Sequence, residues 1–154
     1  MSQFDAQTEK QLGVLKIITW AFMFVGPVAY LIIAQVLSSK GIEARAGNEV
    51  LLYLLLVVSL VSVVVAAPII ARMEIQKYRS GAYRGRSPVQ FFVTLSIIQM
   101  AMVEAIYIYG LVVFFITGKF TYMLYFYPIG IASSFIYWPK REKYERLVEK
   151  LNQP

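Results

Sequence analysis

Glu104 differs from the other acidic residues of the chain because it lies in the middle of a long apolar stretch. It follows Pro88 by 16 residues and precedes Thr117 by 13, so a helix over this stretch carries its carboxyl close to the centre of a bilayer. A charge at that depth costs at least about 2.5–3.5 kcal/mol. We therefore expect this carboxyl to take up a proton or a cation, which makes Glu104 the first candidate for a functional residue.

Tyr107 is the partner that helical periodicity offers to this carboxyl. It follows Glu104 by three residues, and residues three or four apart share one face of a helix. We expect its hydroxyl to donate a hydrogen bond to the carboxylate. Ala101 and Ala105 leave room for another helix to approach. Two interpretations stay open: an ion- or proton-binding site with Glu104 and Tyr107, or a protonated Glu104 that joins two helices by hydrogen bonding.

The absence of two residue types removes most enzymatic chemistry. The sequence contains neither Cys nor His, which excludes thiolate nucleophiles, imidazole ligands and Ser-His catalysis. It also offers no second intramembrane carboxylate to pair with Glu104. We therefore expect no enzymatic activity, no catalytic residue, no cofactor and no metal centre.

Composition predicts the elements that position Glu104. Hydrophobic residues make up 58% of the chain and charged residues 16%, whereas soluble domains carry roughly 25% charged residues. A spanning helix needs about 20 mainly apolar residues. Four stretches are predicted to span, at about 13–37, 50–71, 88–117 and 121–138. The predicted fold is an all-α integral membrane protein with four transmembrane helices in a single membrane domain over residues 1–154.

A fifth, shorter helix is expected over residues 139–153, on the cytoplasmic side. Apolar residues recur there at i, i+3, i+4 and i+7, which is the pattern of an amphipathic helix. They are Tyr144, Leu147, Val148 and Leu151. We expect this helix to lie along the membrane interface, with docking onto a partner helix as the alternative.

The distribution of Lys and Arg predicts the orientation in the membrane. Twelve of the fifteen lie before the first span or at its start (Lys10 and Lys16), between the second and third spans, and after the fourth. The remaining three are Lys40, Arg45 and Lys119. Because positive residues concentrate on the cytoplasmic side, we expect both termini in the cytoplasm and the protein in the inner or plasma membrane.

The loop between the second and third predicted spans holds five basic residues: Arg72, Lys77, Arg79, Arg84 and Arg86. Topology alone accounts for this charge, and contact with anionic lipid or with a partner protein is an additional hypothesis. Nucleic acid is not an expected partner, because the basic residues lie at the ends of apolar segments rather than on one face of a soluble domain.

The run of residues 102–113, Met-Val-Glu-Ala-Ile-Tyr-Ile-Tyr-Gly-Leu-Val-Val, resembles the ion-binding helix of the rotor-ring c subunits (proteolipids) of rotary ATP synthases and ATPases. The likeness extends over residues 66–117 and includes the turn Arg86-Ser87-Pro88, which precedes the carboxylate at a similar distance. In that family the loop carries Gln where this chain has Ser87. The resemblance implies that Glu104 binds a proton or a sodium ion, with Tyr107 as a partner.

The sequence thus leaves two hypotheses for function. The first is a multi-pass membrane protein that takes part in ion transport, as a proton- or cation-binding subunit of a membrane complex using Glu104. The alternative is a structural or assembly protein in which Glu104 joins helices by hydrogen bonding. In both, membrane lipid and other membrane subunits are the expected partners, in a homo- or hetero-oligomer.

Overall fold

The computed structural model describes residues 6–40 and 49–152, and all regular elements in these ranges are helices. In chain order they are α1 (Ala6–Trp20), a first π segment (Ala21–Val25), α2 (Gly26–Ser39), α3 (Glu49–Val61), a second π segment (Ser62–Ala66), α4 (Ala67–Arg79), α5 (Pro88–Thr117), α6 (Phe120–Leu124), α7 (Phe126–Tyr137) and α8 (Arg141–Asn152).

Three continuous helices among the described residues are long and apolar enough to cross a membrane: Thr8–Ser39, Glu49–Arg79 and Pro88–Thr117. Their outward faces stay apolar, as in Ile17 and Val25, which are 71% and 67% exposed. Such surface is unfavourable in water and suits the hydrocarbon of a bilayer. The prediction of an all-helical protein with helices suited to a membrane is confirmed for these three helices. The second of them continues to Arg79, beyond the expected end near residue 71.

The first two long helices each contain a π segment directly before a proline. The order is the same in both: five π residues, one further residue, then Pro27 or Pro68. Proline has no N–H, and its ring collides with the carbonyl one turn earlier. The wider π turn accommodates this defect without ending the helix.

Helix α5 lies at the centre of the bundle and packs on each of the other α-helices of the described residues: α1, α2, α3, α4, α6, α7 and α8. Its start is fixed by a capping box between Ser87 and Gln90, with Pro88 in the first turn. Its end is fixed by Gly118, whose φ of 67° is the left-handed conformation that glycine adopts at helix ends. These signals hold Glu104 midway along a 30-residue helix.

The fourth predicted span, about 121–138, is divided into α6 and α7, which meet at Tyr125. The break follows from Pro128, which has no N–H to donate to the carbonyl of Leu124, the last residue of α6. Neither helix alone is long enough to cross a membrane.

Helix α8 is amphipathic and packs on the protein itself. Leu147 is buried in an apolar cluster, whose other buried members are Leu15 of α1 and Phe91, Phe92 and Leu95 of α5. Arg79 at the end of α4 donates a hydrogen bond to the carbonyl oxygen of Lys150, with Nε 3.0 Å away. The start of α1, the end of α4, the start of α5 and α8 therefore meet at one end of the bundle.

Candidate functional site

The Glu104 carboxyl faces the first long helix at Gly26, where α2 begins. A Cβ atom added to Gly26 would lie 3.0 Å from Cδ and 3.1 Å from Oε2 of Glu104, and closer still to Oε1. No side chain larger than hydrogen fits there without displacing the carboxyl. Gly26 thus allows α5 and α2 to bring a carboxyl group against the backbone of a neighbouring helix.

One oxygen of this carboxyl has no partner. The Oε2 atom of Glu104 is buried, and no described residue forms a hydrogen bond with it. Tyr30, one turn after Gly26 on α2, is the side chain whose hydroxyl interacts with the carboxyl. A buried acceptor without a donor is costly, so this position favours a ligand that carries positive charge or a proton.

Tyr107 does not pair with Glu104 in the structure. Its side chain is 1% exposed and packs against Gly130 of α7, with its ring 5.1 Å from that of Tyr127 in a T-shaped contact. Its hydroxyl interacts with the Ser134 hydroxyl of α7 rather than with the Glu104 carboxyl. The partner expected on the same helix is therefore replaced by Tyr30 from a different one.

Tyr127 joins α7 to the same part of α2. Its hydroxyl donates a 2.8 Å hydrogen bond to the carbonyl oxygen of Pro27, next to Gly26. Tyr30, Tyr107 and Tyr127 thus lie within electrostatic range of the Glu104 carboxyl. Sequence reasoning missed Gly26, Tyr30 and Tyr127 as site residues, and the Gly26-Pro27 dipeptide inside an apolar span was the signal that pointed to them.

Glu104 also borders a shallow depression of about 240 Å³. The depression is lined by Glu104 and four residues of the first long helix: Ala21, Phe22, Val25 and Gly26. Since Val25 belongs to the outward apolar surface, the depression opens toward the surrounding lipid. Glu104 therefore lies next to the apolar outer surface of the protein.

The chemistry of this arrangement is that of a single acidic group. Among residues 6–40 and 49–152, no three Asp, Glu, Cys or His side chains lie close enough to hold a metal ion together. One carboxylate with nearby hydroxyl and carbonyl oxygens suits a proton or a monovalent cation, because a second positive charge would stay unneutralised inside the membrane.

The five basic residues from Arg72 to Arg86 are all exposed and do not form one cluster. Lys77 makes a 2.6 Å ion pair with Glu74, Arg79 binds α8, and Arg86 lies over the ring of Tyr83. Tyr83 donates a hydrogen bond to Glu74, and this bond raises the pKa of the Tyr83 phenol. Arg72 and Arg84 form no ion pair with any described residue.

Neither a protein-family model, nor a curated protein, nor a solved structure matches this chain.

Proposed function

We propose that this protein crosses the membrane four times, with both termini in the cytoplasm. We further propose that it uses Glu104 to bind and release a proton or a monovalent cation inside the bilayer, as a subunit of a membrane complex. The observation that carries the proposal is the buried, unpartnered Oε2 atom of Glu104, midway along α5 and beside a depression that opens toward lipid.

The position of α8 supports four crossings. Helix α8 packs at the end of the bundle where α5 starts, whereas α6 follows the other end of α5. A 30-residue helix is about 45 Å long at 1.5 Å per residue. The chain must return over that distance between Thr117 and Arg141, and α6 with α7 covers about 27 Å of it over residues 120–137. On this topology the start of α1, the basic loop and α8 share the cytoplasmic side.

Two sequence-based hypotheses belong to the same proposal. The likeness of residues 66–117 to the carboxylate hairpin of rotor-ring subunits implies the same role for Glu104. The exposed Arg72 and Arg84 lack an acidic partner among the described residues, which supports their contact with anionic lipid headgroups or with a partner subunit.

The alternative is that Glu104 serves only to hold helices together. The close approach of its carboxyl to Gly26 and its interaction with Tyr30 favour this structural role. A protonated Glu104 would then donate a permanent hydrogen bond across the interface of α5 and α2, and Gln would replace it with little loss.

Labelling with a hydrophobic carbodiimide tests the two functions against each other, because this reagent modifies protonated carboxyls in apolar surroundings. The purified protein in lipid vesicles is labelled over a range of pH, and mass spectrometry identifies the modified residue. We expect label at Glu104 that decreases as pH rises, and none in Glu104→Gln. Glu49, whose carboxyl accepts a 3.0 Å hydrogen bond from Tyr122 near a helix end, serves as the internal control. A Glu104 that stays unlabelled at every pH contradicts the binding function and supports the structural one.

A further inference from the structure

A cavity of about 570 Å³ lies between α1 and α5, at the end of the bundle where both helices start. Its volume falls in the range of about 300–1,000 Å³ that small-molecule sites occupy. The exposed members of its lining, which leave it open to the surroundings, are Lys10, Val14, Gln90 and Thr94. The cavity is separate from the site at Glu104, which follows Gln90 on α5 by 14 residues, or about 21 Å.

The lining of this cavity changes from polar to apolar along α1. Lys10 and Gln11 come first, and Val14, Leu15 and Ile18 follow at helical spacing. Four residues of a helix rise by about 6 Å. One headgroup layer has a similar thickness, since a bilayer of about 40–45 Å contains about 30 Å of hydrocarbon. The change in the lining therefore matches the change from lipid headgroups to acyl chains at a membrane surface.

The polar groups of the cavity comprise donors for an anion and an acceptor without a donor. Lys10 forms no ion pair with any residue in the described ranges. The Oε1 atom of Gln90 accepts a 3.2 Å hydrogen bond from the N–H of Ser87, which leaves the side-chain N–H groups of Gln90 as donors. The Oε1 atom of Gln11 is buried and receives no hydrogen bond from any described residue. A ligand that suits these groups carries a negative charge and a hydroxyl donor.

We propose that this cavity binds one anionic phospholipid whose headgroup carries a hydroxyl, as phosphatidylglycerol does. The phosphate accepts from Lys10 and Gln90, the headgroup hydroxyl donates to Gln11, and the acyl chains follow the apolar lining. Apolar surface continues toward the bilayer centre, because Ile18 is followed four residues later by Phe22, which lines the depression beside Glu104. A soluble anion would use only the polar half of the cavity. The inference does not depend on the function proposed for Glu104.

Native mass spectrometry of the purified, delipidated protein tests this inference, because the method resolves bound lipids one at a time. Phosphatidylglycerol and phosphatidylcholine with identical acyl chains are the probes. We expect the first phosphatidylglycerol to bind at least tenfold more tightly than the first phosphatidylcholine. Glycerol 3-phosphate, which has the charge and the hydroxyls without acyl chains, should not displace it. Equal affinities overturn the recognition of an anionic headgroup, and displacement by glycerol 3-phosphate overturns the lipid as the ligand.

Variants in the polar half of the cavity show whether the lipid binds there. Lys10→Gln should weaken phosphatidylglycerol binding about fivefold, the contribution of one basic residue beside anionic lipid. Lys16→Gln is the matched control, because it removes the same charge from α1 outside the cavity lining. Gln11→Leu should also weaken phosphatidylglycerol binding at least threefold without lowering stability, since it removes a buried acceptor that has no donor. A Gln11→Leu variant that is destabilised and binds the lipid normally overturns the contact with the headgroup.

A variant in the apolar half tests the cavity by filling it. Val14 lines the cavity and is 50% exposed, so a tryptophan there fits without disturbing the core. Val14→Trp should abolish the tight binding of phosphatidylglycerol. Ile17→Trp is the control, because Ile17 is 71% exposed and lies outside the lining. Equal effects of the two tryptophan variants, or of Lys10→Gln and Lys16→Gln, overturn the cavity as the site. Wild type alone decides the lipid preference, so the test stands even if one variant does not fold.

Discussion

Gly130→Ala tests the packing that holds the tyrosines around Glu104. Gly130 lies in the interior of α7 against the ring of Tyr107. A Cβ at this position would lie 2.6 Å from Cε1 and 2.7 Å from the hydroxyl oxygen of Tyr107, and nearer still to Cζ. The ring is 1% exposed and packed against Tyr127, so it has no free space into which to move.

The expected magnitude is the difference of two terms. Replacing glycine by alanine inside a helix stabilises it by about 0.5–1 kcal/mol. Overpacking a well-filled interior costs about 1–3 kcal/mol. The collision involves a rigid ring rather than the end of a flexible side chain, so the second term should win. We expect Gly130→Ala to lower the free energy of unfolding by about 1–2 kcal/mol.

The assay is equilibrium unfolding of the purified protein in mixed micelles with increasing sodium dodecyl sulfate, followed by far-ultraviolet circular dichroism. Gly13→Ala is the matched control, because Gly13 lies in α1 with nothing within 4 Å of its added Cβ. It should keep or raise stability. In a Tyr107→Leu background the cost of Gly130→Ala should largely disappear, since contacting residues couple in such cycles. A cost that is absent in wild type, or unchanged without the Tyr107 ring, would refute the packing argument.

Three further predictions follow from individual contacts. Gly26→Ala should change stability by less than about 1 kcal/mol, because the Glu104 carboxyl ends a flexible side chain and can move aside. The same change should alter the rate of carbodiimide labelling of Glu104 severalfold, and an unchanged rate would show that the carboxyl does not lie against Gly26. The Tyr137 hydroxyl of α7 donates a 2.6 Å hydrogen bond to the Val63 carbonyl, and Tyr137→Phe removes it. This change should lower the free energy of unfolding by about 0.6 kcal/mol and by at most about 1.7 kcal/mol, the average and maximum for single hydrogen bonds within membranes; stability equal to wild type in the same unfolding assay would contradict this. Ser87→Ala removes the N-cap of α5 and should cost about 0.5–2 kcal/mol, whereas Ser87→Asp, which keeps an acceptor at that position, should cost much less.

The course of the helices was largely accessible from the sequence. Pro88 with Ser87 before it, and Gly118 at the other end, are local signals that fix α5 without reference to the rest of the protein. The break at Tyr125 was not predicted, although Pro128 carried the necessary signal. A hydropathy pattern registers only that the stretch is apolar, whereas the missing N–H acts on one particular carbonyl.

The partners of Glu104 were beyond the reach of the sequence. Helical periodicity offered Tyr107, because it describes neighbours on one helix only. The actual contacts, Gly26 and Tyr30, come from another helix, and their register depends on the packing of α2 against α5. The π segments were equally hidden: Pro27 and Pro68 are visible in the sequence, but the wider turn that precedes each of them depends on the local backbone geometry.

The measurement that tests the central claim most directly is infrared difference spectroscopy of the protein in lipid vesicles as the pH is raised. The carbonyl stretch of a protonated carboxyl in apolar surroundings is resolved from that of a carboxylate, so the method observes the proton on Glu104 itself. We predict a protonated-carboxyl band that disappears with rising pH and is absent from Glu104→Gln. A band that belongs to Glu104 but persists at every pH would contradict the account and identify the residue as a permanent hydrogen bond between helices.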